Sequence, residues 1–280
     1  MSGDDLQAGK AIRIAAGVRR LVAPNPGMMT GPGTNTYLLG ENEIAVIDPG
    51  PNLPAHLDAI QAQANGPIRH ILVTHTHPDH SPAAKLLASA TGAELLGRPA
   101  PEGAHQDKTF VPGNVLGDGD VLRLDQFDLE VIHTPGHASN HLCYLHREHR
   151  LLFTGDHIIN GSTVVIDPPD GDMKHYIESL LRLKSVDIAA IAPGHGAVFT
   201  NPYEVIDWIV QHRQQRESKV IEALEQHERL TSMELVPYVY TDVDRKLYQW
   251  AERSLLAHLL KLQQDQRAVL DGDRWALAKR

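Results

Sequence analysis

The segment Thr74-His75-Thr76-His77-Pro78-Asp79-His80 places four potential metal ligands within six residues. Imidazole nitrogens and carboxylate oxygens bind zinc at about 2.0–2.2 Å, so a short loop suffices to hold two ions close together. His75 and His77, two apart, can face one ion from an extended turn. Asp79 and His80, just beyond the turn, can face a second. Three further candidates each have a glycine beside them: His137 in Thr134-Pro135-Gly136-His137, Asp156 in Thr154-Gly155-Asp156-His157, and His195 in Pro193-Gly194-His195-Gly196. A glycine lets the backbone turn and approach closely. Two zinc ions about 3.5–4 Å apart can share a hydroxide and lower the pKa of water towards 7, so the chemistry on offer is hydrolysis without a covalent intermediate. The 17 histidines outnumber tryptophan, tyrosine and phenylalanine together.

Strands must deliver these residues, because α/β folds usually place their sites at strand ends. Short apolar, β-branched runs over 12–23 read as strands. The loop 24–35 follows with three prolines and three glycines, then strands at 36–39 and 44–47, a helix over 54–64 and a buried strand at 70–73 that runs into the His-rich segment. Ser81 is expected to cap the next helix, with Pro82 in its first position. The style repeats with strands at 121–124, 127–133, 142–145 and 151–153, a helix over 174–183 and a strand at 188–192. Two such blocks, roughly 12–110 and 118–200, predict a layered α/β architecture with helices covering two sheets. Beyond residue 200 come a long helix over 203–225, a capping box of Thr231 with Glu234, a helix over 244–264, and a hairpin around Asp271-Gly272-Asp273. Three helices and a hairpin make the plan of a winged helix. The expected division is a tail over 1–10, a catalytic domain over 11–203 and a winged-helix domain over 204–280.

Composition excludes several classes. With 42% hydrophobic and 22% charged residues over 280 positions, the chain is an ordinary globular one, not a disordered, collagenous or rod-like one. Acidic residues outnumber basic ones 35 to 26, for a net charge of −9. A protein gripping nucleic acid by bulk electrostatics carries the opposite sign. Cys143 is alone, so no intrachain disulfide forms, and a reducing, cytoplasmic setting fits. No apolar run approaches 18 residues and the start lacks a signal core, so no membrane partner is expected.

The motif His75-x-His77-x-Asp79-His80, followed in order by His137, Asp156 and His195, resembles the metallo-β-lactamase superfamily over about residues 12–200. Asp48, in Val46-Ile47-Asp48-Pro49-Gly50, matches that superfamily's first motif, beneath the metal loop. The resemblance implies an αββα four-layer sandwich and two zinc ions per chain, with manganese or iron as alternatives. It implies that His75, His77 and His137 hold one ion, that Asp79, His80 and His195 hold the other, and that Asp156 bridges both. Gly33-Thr34-Asn35-Thr36-Tyr37-Leu38, His141, Gly155-Asp156 and His212-Arg213 through Arg216-Glu217 look like the β-lactamase-like protein 2 group, which also carries a C-terminal winged helix. Vertebrate members of that group are regarded as endoribonucleases acting on single-stranded RNA. The antibiotic-hydrolysing branches lack the bridging aspartate, and some use a cysteine ligand. The RNA-processing branch with a large insertion is also disfavoured, because Asp156 and His195 are only 39 residues apart.

Asp79 and Asp156 are the expected catalytic carboxylates, Asp156 fixing the metal spacing and Asp79 also steering a proton. Asp48 is expected to orient a ligand, His141 to orient a ligand or touch substrate, and Asn35 to offer an amide contact or shape its loop. The apolar stripe of the long helix is interrupted by Arg213 and Glu217, an i,i+4 pair. Either these form an ion pair at the domain junction, or His212, Arg213 or Arg216 reaches the site and binds an anionic group. Residues 204–280 carry 13 acidic and 12 basic residues, so the winged helix is expected to pack and shape the site, not to bind duplex DNA. Cleavage of a small ester-type substrate (carboxylic ester, lactone or thioester) is the leading expectation, with endonucleolytic cleavage of single-stranded RNA as the alternative. The oligomeric state is left open.

Overall fold

The computed structural model describes residues 6–278 apart from Ala104, Asp125 and Glu228. Of the expected tail, residues 1–5 lie outside the described residues. The end of that tail is tied down: Gly9 N donates to Val22 O at 3.0 Å, and Gln63 Nε2 donates to Gly9 O at 3.0 Å.

The chain divides into two compact units. The first takes the chain up to Thr134, with Asn140–Val164 and Val186–Pro202. It carries β1 (Ile12–Ala15), β2 (Val18–Val22), β3 (Asn35–Leu39), β4 (Ile44–Ile47), α1 (Pro54–Ala62), β5 (Ile68–Leu72), α2 (Ala83–Thr91), β6 (Glu94–Gly97) and β7 (Asn114–Val115). It continues through β8 (Val121–Arg123), β9 (Asp128–His133), β10 (Leu142–His146), β11 (Leu151–Gly155) and β12 (Ala190–Pro193). Strands β1 to β7 form one sheet in chain order, and β12-β11-β10-β9-β8 form the other.

Strand alternation assigns each face its partner. Leu38 and Val46 pack with Ile60 of α1 and Ala84 and Leu87 of α2 on one side of the first sheet. Their neighbours Tyr37, Leu39, Ala45 and Ile47 pack with Val131, Leu142, Tyr144 and Phe153 of the second sheet. Both faces of the central strands are buried, so β4 reads as a continuous apolar run, while β3, β10 and β11 are apolar for most of their length. Four pairs are parallel: β4 with β5, β5 with β6, β6 with β7, and β11 with β12. Parallel pairing sets the carboxyl ends of the paired strands side by side, which brings Asp48 next to Thr74 and Asp156 next to Gly194.

Two local expectations differ. Helix α2 starts at Ala83 with no side-chain cap, because the Ser81 hydroxyl goes to Asp107 Oδ2 at 2.7 Å. Strands β6 and β7 were not expected. They are short, and their pairing comes from distant residues.

The second unit takes Pro135–Ser139, Val165–Ser185 and the chain from Tyr203 on. It contains α3 (Met173–Leu183), α5 (Ser232–Val239), α6 (Tyr248–Gln264) and the hairpin β13 (Ala268–Asp271) and β14 (Arg274–Leu277). Nearly all of the long helix α4 (Pro202–Gln226) belongs to it. The expected winged-helix core is present: Val220 and Leu224 of α4 pack with Leu235 and Val239 of α5, Leu255 and Leu259 of α6, and Trp275 of β14. The capping box of Thr231 and Glu234 opens α5. The α3 region groups with this unit because polar side chains bind it to α6. Arg253 pairs with Asp167 at 2.9 Å, and Gln264 donates to Asp172 at 2.9 Å.

Among the described residues, no helix is long and apolar enough to cross a membrane.

Candidate metal centre

Five segments at strand ends supply the candidate residues. Asp48 follows β4, and the stretch from Thr74 to His80 follows β5. His137 follows β9, Asp156 follows β11 and His195 follows β12. Two groups of ligand atoms result, one of His75, His77 and His137 and one of Asp79, His80, Asp156 and His195, each gathered within 4.8 Å. The groups adjoin, since the His75 and His80 rings lie 4.2 Å apart.

Four of the five imidazoles, those of His75, His80, His137 and His195, are turned by a bond from their Nδ1. His80 Nδ1 donates to Asp48 Oδ2 at 2.9 Å, His137 Nδ1 to Val165 O at 2.8 Å and His195 Nδ1 to Gly33 O at 3.3 Å. These acceptors fix the proton on Nδ1 and leave Nε2 as the ligand atom, the arrangement a metal-binding histidine requires. Thr74 Oγ1 donates to Asp48 Oδ2 at 2.7 Å and so accepts from His75 Nδ1 at 3.0 Å. His75 Nε2 then meets His77 Nδ1 at 3.0 Å.

Asp48 is the base of this structure. Its Oδ1 accepts from Thr74 N at 2.7 Å, so one carboxylate takes three donors. Asn35 clasps the opposite side. Its N donates to Gly194 O at 2.7 Å, and its Nδ2 donates to Pro193 O and Gly196 O at 2.9 Å each, bracketing His195. Tyr37 Oη, from the same Gly33–Leu38 segment, also donates to Pro193 O at 2.6 Å. His141 stacks on His75, with centroids 4.9 Å apart, and bonds Thr134 Oγ1 at 2.9 Å.

Glycines permit the close approach. A Cβ on Gly194 would stand 2.6 Å from Asp156 Oδ1 and 2.8 Å from His80 Cε1. One on Gly155 would stand 2.5 Å from Thr74 Oγ1.

The donor set fits a divalent metal. His80 Nε2 and His195 Nε2 are buried and make no hydrogen bond of sound geometry. They face carboxylate oxygens of Asp79 and Asp156 at 3.2–3.5 Å. Unbonded ring nitrogens and carboxylate oxygens crowded together buried are the chemistry of a zinc-class site. Charge agrees. Burial pushes the His80 imidazole down, but Asp79, Asp156 and Asp48 outweigh it and hold it well above its ordinary value. Burial likewise lowers His195, and Asp156 and Asp79 carry it up to about 10. The carboxyl of Asp156 is raised by burial, yet His195 and His80 hold it well below the usual range.

Arg213 lies in the second unit, 5.6 Å above the Tyr176 ring. Glu217, its expected partner, pairs with Lys261 at 2.8 Å and with Arg267 at 3.5 Å. Nearby Arg216 forks onto Asp242 at 2.9 and 3.1 Å.

Comparison with known proteins agrees with this geometry. The metallo-β-lactamase superfamily profile matches residues 29–195, and that of the β-lactamase associated winged helix domain matches 231–275. A β-lactamase-like protein 2 homolog from Caenorhabditis elegans is 32% identical over 258 residues, covering 89% of this chain and 83% of that protein. An atrochrysone carboxyl ACP thioesterase from Aspergillus fumigatus is 29% identical over 220 residues, covering 76% of this chain and 66% of that protein. The crystal structure of a β-lactamase domain protein from Burkholderia ambifaria superposes with a TM-score of 0.84 at 22% identity, covering 97% of this chain and 94% of the other. With a superfamily profile spanning all seven candidate ligands, and with the associated winged helix behind it, the chain belongs to the metallo-β-lactamase superfamily.

Proposed function

We propose that the chain is a dinuclear zinc hydrolase that cleaves an ester-type bond of a small substrate: a carboxylic ester, a lactone or a thioester. The observation that carries this reading is the pair of adjoining ligand groups built from seven histidine and aspartate side chains. His75, His77 and His137 would hold one ion, and Asp79, His80 and His195 the other, with Asp156, which groups with the second set, as the residue that would serve both. When bound, such ions supply an activated water and polarise the attacked carbonyl.

The remaining work falls to the chain. Asp48, Gly33 O and Val165 O hold protons on the Nδ1 atoms of His80, His195 and His137, so that the Nε2 lone pairs stay on the ligand side. The Asp79 side chain is 26% exposed, more than His80, Asp156 or His195. It is therefore the carboxylate placed to take the proton of the attacking water.

Two observations favour an ester-type substrate. One relative is named a thioesterase, and the net charge of −9 opposes a long polyanion. Cys143 is buried in β10 against Thr134 Oγ1, far from a ligand role. The single buried thiol suits a reducing, cytoplasmic setting.

The test is a zinc-loaded substrate panel with a model thioester, an ester, a lactone and labelled single-stranded RNA, run beside Asp156→Ala. Turnover of one of the first three, lost in the variant, supports the reading. Cleavage of RNA alone, lost in the same variant, replaces it with an endoribonuclease. Metal analysis giving other than two ions per chain overturns the dinuclear part.

A further inference from the structure

Two threonines alternate with the first two histidines of the metal segment, and each has its own anchor. Thr74 is held by Asp48. Thr76, fully buried, is held by three residues outside the motif. Asn140 Nδ2 donates to Thr76 Oγ1 at 2.9 Å, Thr76 Oγ1 donates to Gln106 Oε1 at 2.5 Å, and Asp107 N donates to Thr76 O at 2.6 Å.

These anchors close a frame around the motif. Asp107 also accepts from Ser81 Oγ at 2.7 Å, so it joins the middle of the motif to the residue after its end. Asn140 Nδ2 donates a second bond, to Pro99 O at 3.2 Å. A backbone carbonyl only accepts, which fixes the amide with its nitrogen towards Pro99 and Thr76. One side chain thus ties the metal segment to the chain leaving β6. In sequence, Asn140 stands three residues after His137 and directly before His141.

We propose that Asn140 is a positioning residue for the metal-holding histidines, acting through Thr76 to fix the rotation of the stretch between His75 and His77. Thr76 separates two ligands whose nitrogens meet at 3.0 Å. A turn of its backbone moves both, and metal sites tolerate ligand displacements of only about 0.2 Å. The Thr76 hydroxyl bonds to Asn140 and Gln106. Its anchoring serves the backbone between the two histidines.

The inference rests on the dinuclear reading, and the test separates the two. Full-length wild type, Thr76→Val, Thr76→Ser, Asn140→Asp and Gln106→Ala are titrated with zinc against a chromophoric chelator, and each metal-free protein is melted. Wild type is expected to take two ions. Thr76→Val and Asn140→Asp should bind one of the two about ten- to a hundredfold more weakly, with the other unchanged. Asparagine is needed because an aspartate oxygen would face the Pro99 carbonyl. Thr76→Ser, which keeps the hydroxyl, should restore binding, and Gln106→Ala, at a half-buried loop site, should fall in between. If both severe variants are too unstable to purify, the order of wild type, Thr76→Ser and Gln106→Ala decides. Unchanged affinity at both ions, with only the melting temperature lowered, makes the frame merely structural and overturns the proposal. Failure of wild type to bind zinc overturns the metal reading and this inference with it.

Discussion

Asp48 and His80 form a buried pair in which the carboxylate of one turns the imidazole of the other, with Oδ2 accepting from Nδ1 at 2.9 Å. The Asp48 backbone sits at φ 49°, a left-handed conformation that asparagine and aspartate tolerate best. Asp48→Asn therefore keeps the turn while removing one acceptor oxygen. The amide nitrogen must then face a donor from Thr74 or His80. We expect a ten- to hundredfold loss of zinc affinity and about 1–3 kcal/mol of stability. Chelator competition and denaturant melts measure the two separately, and unchanged zinc affinity would contradict the orienting role.

Gly194 is the glycine that crowds two candidate ligands, Asp156 and His80. An alanine Cβ there meets Asp156 Oδ1 at 2.6 Å and Gly155 C at 2.9 Å. Gly194→Ala must push Asp156 or the β12 end away. Misplacement on this scale costs on the order of a hundredfold in rate. Steady-state kinetics on the substrate identified by the panel gives the number, and wild-type kcat/KM in this variant would show that the crowding is relieved elsewhere.

His56 makes the first unit sensitive to acid. It is 1% exposed, its Nε2 donates to Thr36 Oγ1 at 2.8 Å, and burial lowers its pKa from 6.5 to about 4. The folded state holds this imidazole neutral where the unfolded chain would protonate it. Stability is thus fully present above pH 6.5 and is lost as pH falls through about 4, by up to about 3 kcal/mol. His56→Gln keeps a donor and loses the titration. Its stability should vary less than that of wild type between pH 6.5 and 4 in urea melts at a series of pH values. Parallel curves for the two proteins would assign the acid sensitivity to other groups.

The two buried arginines of α4 should differ. Arg216 donates to Val239 O at 2.7 Å, forks onto Asp242 and lies 4.3 Å above the Tyr240 ring. Arg216→Ala strands that carbonyl and should cost the C-terminal unit about 2–3 kcal/mol. For Arg213→Ala, the anion-binding reading predicts a raised KM with kcat nearly unchanged. A lower melting temperature with unchanged kinetics would assign Arg213 to packing over Tyr176.

Much of the site was legible because its chemistry is local in sequence. His75, His77, Asp79 and His80 sit in one loop, and the glycines beside His137, Asp156 and His195 mark tight approaches. What each glycine approaches was not legible. Gly136 makes room for the Tyr176 backbone, while Gly194 makes room for Asp156 and His80. Ser81 looked like a helix cap because local rules put one there, and a carboxylate 26 residues away claimed its hydroxyl instead. Nothing local in the sequence marks His56, because its burial and its bond to Thr36 come from the folded sheet. Thr76 and Asn140 carry no motif of their own, and only their meeting gives them a role. The winged helix was readable from its capping box and hairpin, whereas the attachment of α3 to α6 depends on long-range polar pairs.

Asn35 bonds to Pro193, Gly194 and Gly196, across some 160 positions of chain. During synthesis, the N-terminal sheet can form long before those carbonyls exist, since its strands are neighbours in sequence. The clasp on His195 cannot. A nascent chain that ends before β12 would own six of the seven candidate ligands and an amide with nothing to hold, so completion of the centre is timed by β12, the last strand of the two large sheets to leave the ribosome.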